Sequence, residues 1–112
     1  MKTTTKRRTT YEAWRDEAIA RFGADPMDWQ FVCPSCGYVA RISDWHRAGA
    51  TDGEVAFSCI GRALGARVGI GTEKGPCNYA GDGLLRLNPV TVEFSDGSTV
   101  DLFEFAPSPK DM

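Results

Sequence analysis

Four cysteines, Cys33, Cys36, Cys59 and Cys77, are the residues of this chain best suited to chemistry. They run in the order Cys33-x2-Cys36-x22-Cys59-x17-Cys77. The first two bracket a C-P-x-C-G turn inside "QFVCPSCGYVA", residues 30–40. In such a turn the backbone wraps a metal, amide N–H groups point at the first sulfur, and the glycine supplies the open conformation. Thiolates are soft, singly charged ligands, and four of them suit tetrahedral zinc at about 2.3 Å. Cys59 and Cys77 lack the second C-x2-C of a standard ribbon. Each still sits at a junction, since Ile60-Gly61 follows Cys59 and Gly75-Pro76 precedes Cys77. The expectation is one structural zinc per chain, clamping both ends of the Gly-rich excursion between Cys59 and Cys77. Structural zinc contributes on the order of 10–16 kcal/mol in small domains, as much as the roughly 5–15 kcal/mol total stability of an ordinary one.

Other readings of the same residues compete. His46 could replace one cysteine, but four thiolates suffice and His46 reads as a partly exposed residue of a short helix. Iron could occupy the same sulfurs and is not excluded. A thiol oxidoreductase using Cys33 and Cys36 would need a helix opening after a strand, whereas "GYVARI" reads as extended. Plain buried cysteines fit poorly with the Pro-x-Cys-Gly context.

The elements that must position these residues belong to a 112-residue chain, enough for one domain. Composition is that of a globular protein, and most of its glycines fall between residues 49 and 83, where turns outweigh regular elements. Net charge is −2 and pI about 5.3, whereas a dedicated nucleic-acid binder more often carries a basic excess. Residues 1–10 hold Lys2, Lys6, Arg7 and Arg8 without an acid, and residues 88–112 hold five acids against Lys110. The N-terminus has no apolar run behind its basic residues, so it does not read as a secretory signal. No stretch approaches a membrane span. A reducing, cytoplasmic location is expected, where four cysteines argue for metal or redox chemistry over disulfides.

Residues 1–8 read as a disordered basic tail, 9–106 as a single zinc-binding domain and 107–112 as a flexible C-terminus. Thr9 reads as the N-cap of a helix over 10–22, with Glu12 as its capping-box partner and Gly23 as its stop. Asp25-Pro26 begins a short turn. Residues 29–33 and 38–42 read as extended, and Ser43 as the cap of a short helix ending at Gly49. Residues 54–59 and 83–87 read as strands, with one helical turn near Arg62–Ala66. "NPVTVEFSDGSTVDLFEF" reads as a hairpin. A three-residue loop with Gly97 left-handed sets Val92 against Val100 and Val90 against Leu102, which keeps one face apolar. Phe103 and Phe105 then need cover from another element. The fold class is α+β: a small zinc-ribbon-like antiparallel β core with an N-terminal helix, a short second helix and the C-terminal hairpin.

Catalytic signatures are missing. No H-E-x-x-H, G-x-S-x-G or Walker motif occurs, and "GIGTEKGP" fits neither phosphate-loop spacing. Trp14, Trp29 and Trp45 read as core. Arg41, Arg47, Arg62 and Arg67 could form a basic face near the metal, with Lys6, Arg7 and Arg8 as a mobile arm, together able to hold phosphates; the plainer reading is ordinary surface charge. At "DPMDWQFVCPSCG", "FSCIGR" and "GPCNYAGDGLLRLNPVTVEF" the chain resembles a family of small zinc-ribbon-like proteins encoded by bacteriophages and prophages, over about residues 10–106. A closed four-thiolate site reads as non-enzymatic; the resemblance implies a phage accessory protein in the host cytoplasm, and it supports the four cysteines acting as one set. The implied partner is a host or phage macromolecule. A protein, such as a host transcription or defence component, is favoured by the acidic pI, and nucleic acid is the alternative.

Overall fold

The computed structural model describes residues 7–65, 76–83 and 86–107. Over these residues the chain is α+β, with two three-stranded sheets. The first holds β1 (Arg7–Thr10), β4 (Val90–Glu93) and β5 (Thr99–Leu102) in the order β1-β4-β5. The second holds β2 (Gln30–Val32), β3 (Val39–Arg41) and β6 (Glu104–Phe105) in the order β3-β2-β6. Three helices, α1 (Tyr11–Phe22), α2 (Ile42–Arg47) and α3 (Ile60–Ala63), complete the set.

The hairpin is the part that alternation alone determines. Val90 faces Leu102, Thr91 Asp101, Val92 Val100 and Glu93 Thr99. Phe94 N–H donates to the Ser98 carbonyl at 2.9 Å, and Gly97 takes φ +88° in the three-residue loop. The register is the one that keeps Val90 and Val92 on the buried face. Past Leu102 the chain leaves this sheet, and β6 pairs with β2, setting Phe105 opposite Phe31. One strand end therefore ties the two sheets together.

Arg7 and Arg8 correct the reading of residues 1–8 as a tail. They lie in β1, which runs parallel to β4 from Arg7 opposite Val90 to Thr10 opposite Glu93. Arg7 forms a two-pronged bond to Glu104, both contacts 2.8 Å, and reaches Glu17 at 3.2 Å. Arg8 pairs with Glu93 at 2.6 Å. With Thr9 committed to pairing with Val92, the cap passes to Thr10, whose Oγ1 accepts from Ala13 N–H at 3.2 Å. Gly23, at φ +103°, ends the helix by donating its N–H to the Ile19 carbonyl. Lys6 lies outside the described residues.

Four more expectations change. Residues 54–59 do not form a strand. Asp52–Glu54 make a 3-10 turn, in which Thr51 N–H and Oγ1 both donate to Glu54 Oε1 at 3.0 Å. Phe57 and Ser58 N–H groups both donate to the Glu54 carbonyl, and Ala56 turns left-handed at φ +56°. Local side-chain bonds thus coil a segment whose composition reads as extended. Helix α2 starts at Ile42, and its first turn is held by Asp44, whose Oδ2 accepts from Arg41 N–H at 2.9 Å, so Ser43 is not the cap. Of the expected strand over 83–87, residues 84 and 85 lie outside the described residues, and Gly83, Arg86 and Leu87 are not in a strand. The helical turn expected near Arg62–Ala66 sits earlier, as α3; residues 66–75 of the excursion lie outside the described residues.

Aromatic rings connect the layers. Trp14 of α1 stacks on Phe105 at 5.6 Å and meets Trp29 edge-on at 5.6 Å, while Phe31 and Phe105 stack at 5.1 Å. The chain of rings continues through Trp45 to Phe103 and then to Tyr79, each step 6.1 Å. Phe105 is thus covered by Trp14 and Phe22 of the N-terminal helix, and Phe103 by Trp45 and Tyr79. Tyr79 lies two residues past Cys77, so the apolar core runs directly into the cysteine cluster.

Candidate metal centre

Cys33 and Cys36 come from the turn between β2 and β3. Cys33 N–H donates to the Tyr38 carbonyl at 3.0 Å, Gly37 N–H donates to the Cys33 carbonyl at 2.9 Å, and Gly37 takes φ +79°. Glycine is the residue that enters that conformation without strain. Cys59 precedes α3, and Cys77 lies outside the helices and strands, on the segment leading to Tyr79. Seventeen residues separate them in sequence, yet Cys59 N–H donates to the Tyr79 carbonyl at 3.0 Å.

Both halves are built alike. In each, the N–H of the leading cysteine donates to the carbonyl two residues past the trailing one, Tyr38 in the first half and Tyr79 in the second. Each sulfur also accepts from the amide two residues on. Ser35 serves Cys33 and Tyr79 serves Cys77, both at 3.4 Å. Tyr38 serves Cys36 and Gly61 serves Cys59. Cys77 N–H adds a contact to the Cys59 sulfur at 3.4 Å. The split half is therefore a knuckle of the same form as the C-P-x-C-G turn, with an excursion where the first has two residues. A repeated Cys-x-Tyr, at 36–38 and 77–79, is the sequence signal that the spacing of the cysteines obscures.

The four sulfurs lie within 4.8 Å of one another, and all four cysteines are buried. Cys33 and Cys77 sulfurs are 3.9 Å apart, and those of Cys36 and Cys59 are 3.8 Å apart. A tetrahedron of ligands at about 2.3 Å from its centre has edges of about 3.8 Å. The quartet therefore has the size of a four-thiolate metal site, and it can bind a metal ion. Its donors fit one electrostatically as well. The neighbouring Cys33 thiol holds Cys59 down to about 5, helped by the Gly61 and Cys77 amides. The neighbouring Cys59 sulfur, with burial, pushes Cys33 up from its ordinary 9.0. Burial pushes Cys36 up to about 11. Inward amides stabilise thiolate charge at sulfur, and a dication would offset the charge that burial penalises.

Neighbouring residues hold the second knuckle in place, and the cysteine spacing alone does not reveal them. Trp45 Nε1 donates to the Ser58 carbonyl at 3.1 Å, and Ser58 Oγ accepts from Gly81 N–H at 3.1 Å. Buried Asn88 bridges the Phe57 and Asp101 carbonyls through Nδ2 at 3.1 and 3.0 Å. The strand β5, the turn before Cys59 and the segment after Cys77 thus share one polar knot.

The expected basic residues are dispersed into local partnerships. Arg47 pairs with Asp44 at 2.8 Å, Arg62 donates to the Asn78 carbonyl at 3.1 Å, and Arg41 lies on the exposed edge strand β3. Arg67 lies outside the described residues. His46, on α2, is exposed and outside the sulfur quartet. Among the described residues no helix is long and apolar enough to cross a membrane.

No curated protein matches the chain, and no solved structure matches it. A family model described as VVA0879-like matches residues 10–106, which takes in α1, both sheets apart from the first residues of β1, and all four cysteines. The chain belongs to the VVA0879-like family.

Proposed function

We propose that Cys33, Cys36, Cys59 and Cys77 hold one structural zinc ion per chain, and that the domain they close is a non-enzymatic binding module. The observation that carries this reading is the pair of matched knuckles, each sulfur receiving the amide two residues on. Zinc with four thiolates keeps no open coordination position for water or substrate, so its role is to hold the fold. Iron is the competing occupant of the same sulfurs. The C-x2-C turn leads into β3 and not into a helix, which argues against a thiol oxidoreductase.

The binding role is that of a phage accessory protein in the host cytoplasm, engaging a host or phage protein such as a transcription or defence component. The motif resemblance supports the phage assignment, and the net charge of −2 favours a protein over a nucleic acid. The nucleic-acid alternative draws on arginines, and Arg7, Arg8 and Arg47 are engaged in ion pairs. The test is affinity capture with the tagged chain from infected cells, with and without nuclease. A defined protein retained after nuclease treatment is the expected result. Capture that nuclease abolishes, together with binding to DNA or RNA that falls steeply with salt, would replace this reading with the nucleic-acid one.

A further inference from the structure

Two exposed aromatic rings meet between the start of α1 and the tip of the β4–β5 hairpin. Tyr11 is 42% exposed and Phe94 37% exposed. Their centroids are 5.6 Å apart, with 28° between the planes. The core does not need them for closure, because Trp14, three residues on, already covers Phe31 and Phe105. The two rings line a groove of about 430 Å³, with Glu12 and Glu93 among its walls and the loop residues Ser95 and Gly97 at its end. That volume is in the range of ligand-binding clefts, roughly 300–1,000 Å³.

Both charged residues lining the groove are acids. The Glu12 carboxylate has no cationic partner among the described residues. Arg8, which pairs with Glu93, is not among the residues lining the groove, and both of its bonds fall on Oε2. Aromatic faces carry negative potential, and a guanidinium or ammonium within about 6 Å of a ring centroid is attracted to it. Rings and carboxylates together therefore favour a cation on an apolar stem and repel phosphate.

We infer that this groove receives an arginine or lysine side chain presented by a basic segment of a protein partner. The inference rests on the protein-binding reading above and names the surface and the partner's chemistry. A guanidinium lies flat on the Tyr11–Phe94 pair while Glu12 and Glu93 supply the opposing charge. Aromatic anchors flanked by carboxylates are the arrangement that recognises such a side chain in preference to a neutral one of the same shape.

The test uses the full-length protein labelled with nitrogen-15 and a blocked Gly-Gly-Arg-Gly-Gly peptide. Amide shifts are expected at Tyr11, Glu12, Phe94, Ser95 and Gly97. A citrulline peptide, uncharged but similar in shape, should bind more weakly. Tyr11→Ala and Phe94→Ala should each weaken binding by about fivefold, and Tyr11→Phe should not. Both rings are exposed, so unchanged melting temperatures will show that the variants fold. Equal binding of the citrulline peptide, or shifts confined to another surface, would overturn the inference. Much tighter peptide binding by the Lys2→Gln, Lys6→Gln double variant would also overturn it, by making the chain's own N-terminal segment the occupant. A captured partner that holds the Tyr11→Ala, Phe94→Ala double variant as tightly as the original chain would refute this surface while leaving the binding-module reading intact.

Discussion

Gly81 sits where the segment after Cys77 crosses the turn before Cys59, and it has no room for a side chain. A methyl carbon there would lie 2.2 Å from the Phe57 carbonyl oxygen and 2.9 Å from both Asn88 Nδ2 and Phe57 Cδ2. Gly81→Ala must therefore push these segments apart by about 1 Å to reach ordinary contact. The displaced groups are not free to move. The Phe57 carbonyl accepts from Asn88 Nδ2 at 3.1 Å, and Gly81 N–H donates to Ser58 Oγ at 3.1 Å. A separation of that size takes both bonds out of range. Overpacking costs about 1–3 kcal/mol, and each bond lost in this buried knot adds about 1 kcal/mol. A total of about 3–5 kcal/mol lowers the melting temperature by roughly 12–20 °C at about 4 °C per kcal/mol for a domain of this size. The assay is a thermal melt of the metal-loaded protein, with Gly53→Ala as control, because a methyl at Gly53 would meet nothing within 4 Å. A Gly81→Ala melt within about 4 °C of the original would refute the knot as a rigid support of the second knuckle.

Two further perturbations test the frame around the site. Arg7→Met should destabilise the domain by about 1 kcal/mol at neutral pH, a modest value because the pair is partly exposed. Burial pushes the Glu104 carboxyl up, but the Arg7 bonds and the Phe105 amide outweigh it and hold it below its ordinary 4.5. A depressed carboxyl stabilises the fold above its unfolded value and loses that contribution as pH falls, so the gap between Arg7→Met and the original chain should close below about pH 4.5 in urea titrations. Phe105→Ala removes the ring that Trp14, Phe22 and Phe31 all touch and should cost about 3–5 kcal/mol by denaturant unfolding.

The parts of the fold that were legible in the sequence are those fixed by local rules. The hairpin register follows from alternation at Val90, Val92 and Val100 with Gly97 at the turn. The grouping of the four cysteines follows from thiolate chemistry, although Cys59 and Cys77 look unpaired until the chain closes. What was not legible depends on distant partners. Arg7 and Arg8 look like a solvated tail because their partners, Glu104 and Glu93, lie more than eighty residues away. "EVAFSC" has strand composition, but the Thr51–Glu54 bonds and the left-handed Ala56 coil it. β6 looks like a continuation of the hairpin, and only its pairing with β2 shows that it belongs to the other sheet. The matched knuckles were hidden by the excursion between Cys59 and Cys77, which separates the second pair in sequence while Cys59 N–H and the Tyr79 carbonyl bring it together.

Metal analysis coupled to unfolding tests the central claim most directly. The purified chain should carry one zinc per molecule, with all four thiols protected from alkylation, and a strong chelator should unfold it. Cys59→Ser and Cys77→Ser should each lose metal and stability as severely as Cys33→Ser. A chain that folds without metal, or a Cys59→Ser variant that keeps its zinc and its melting temperature, would contradict the four-sulfur site.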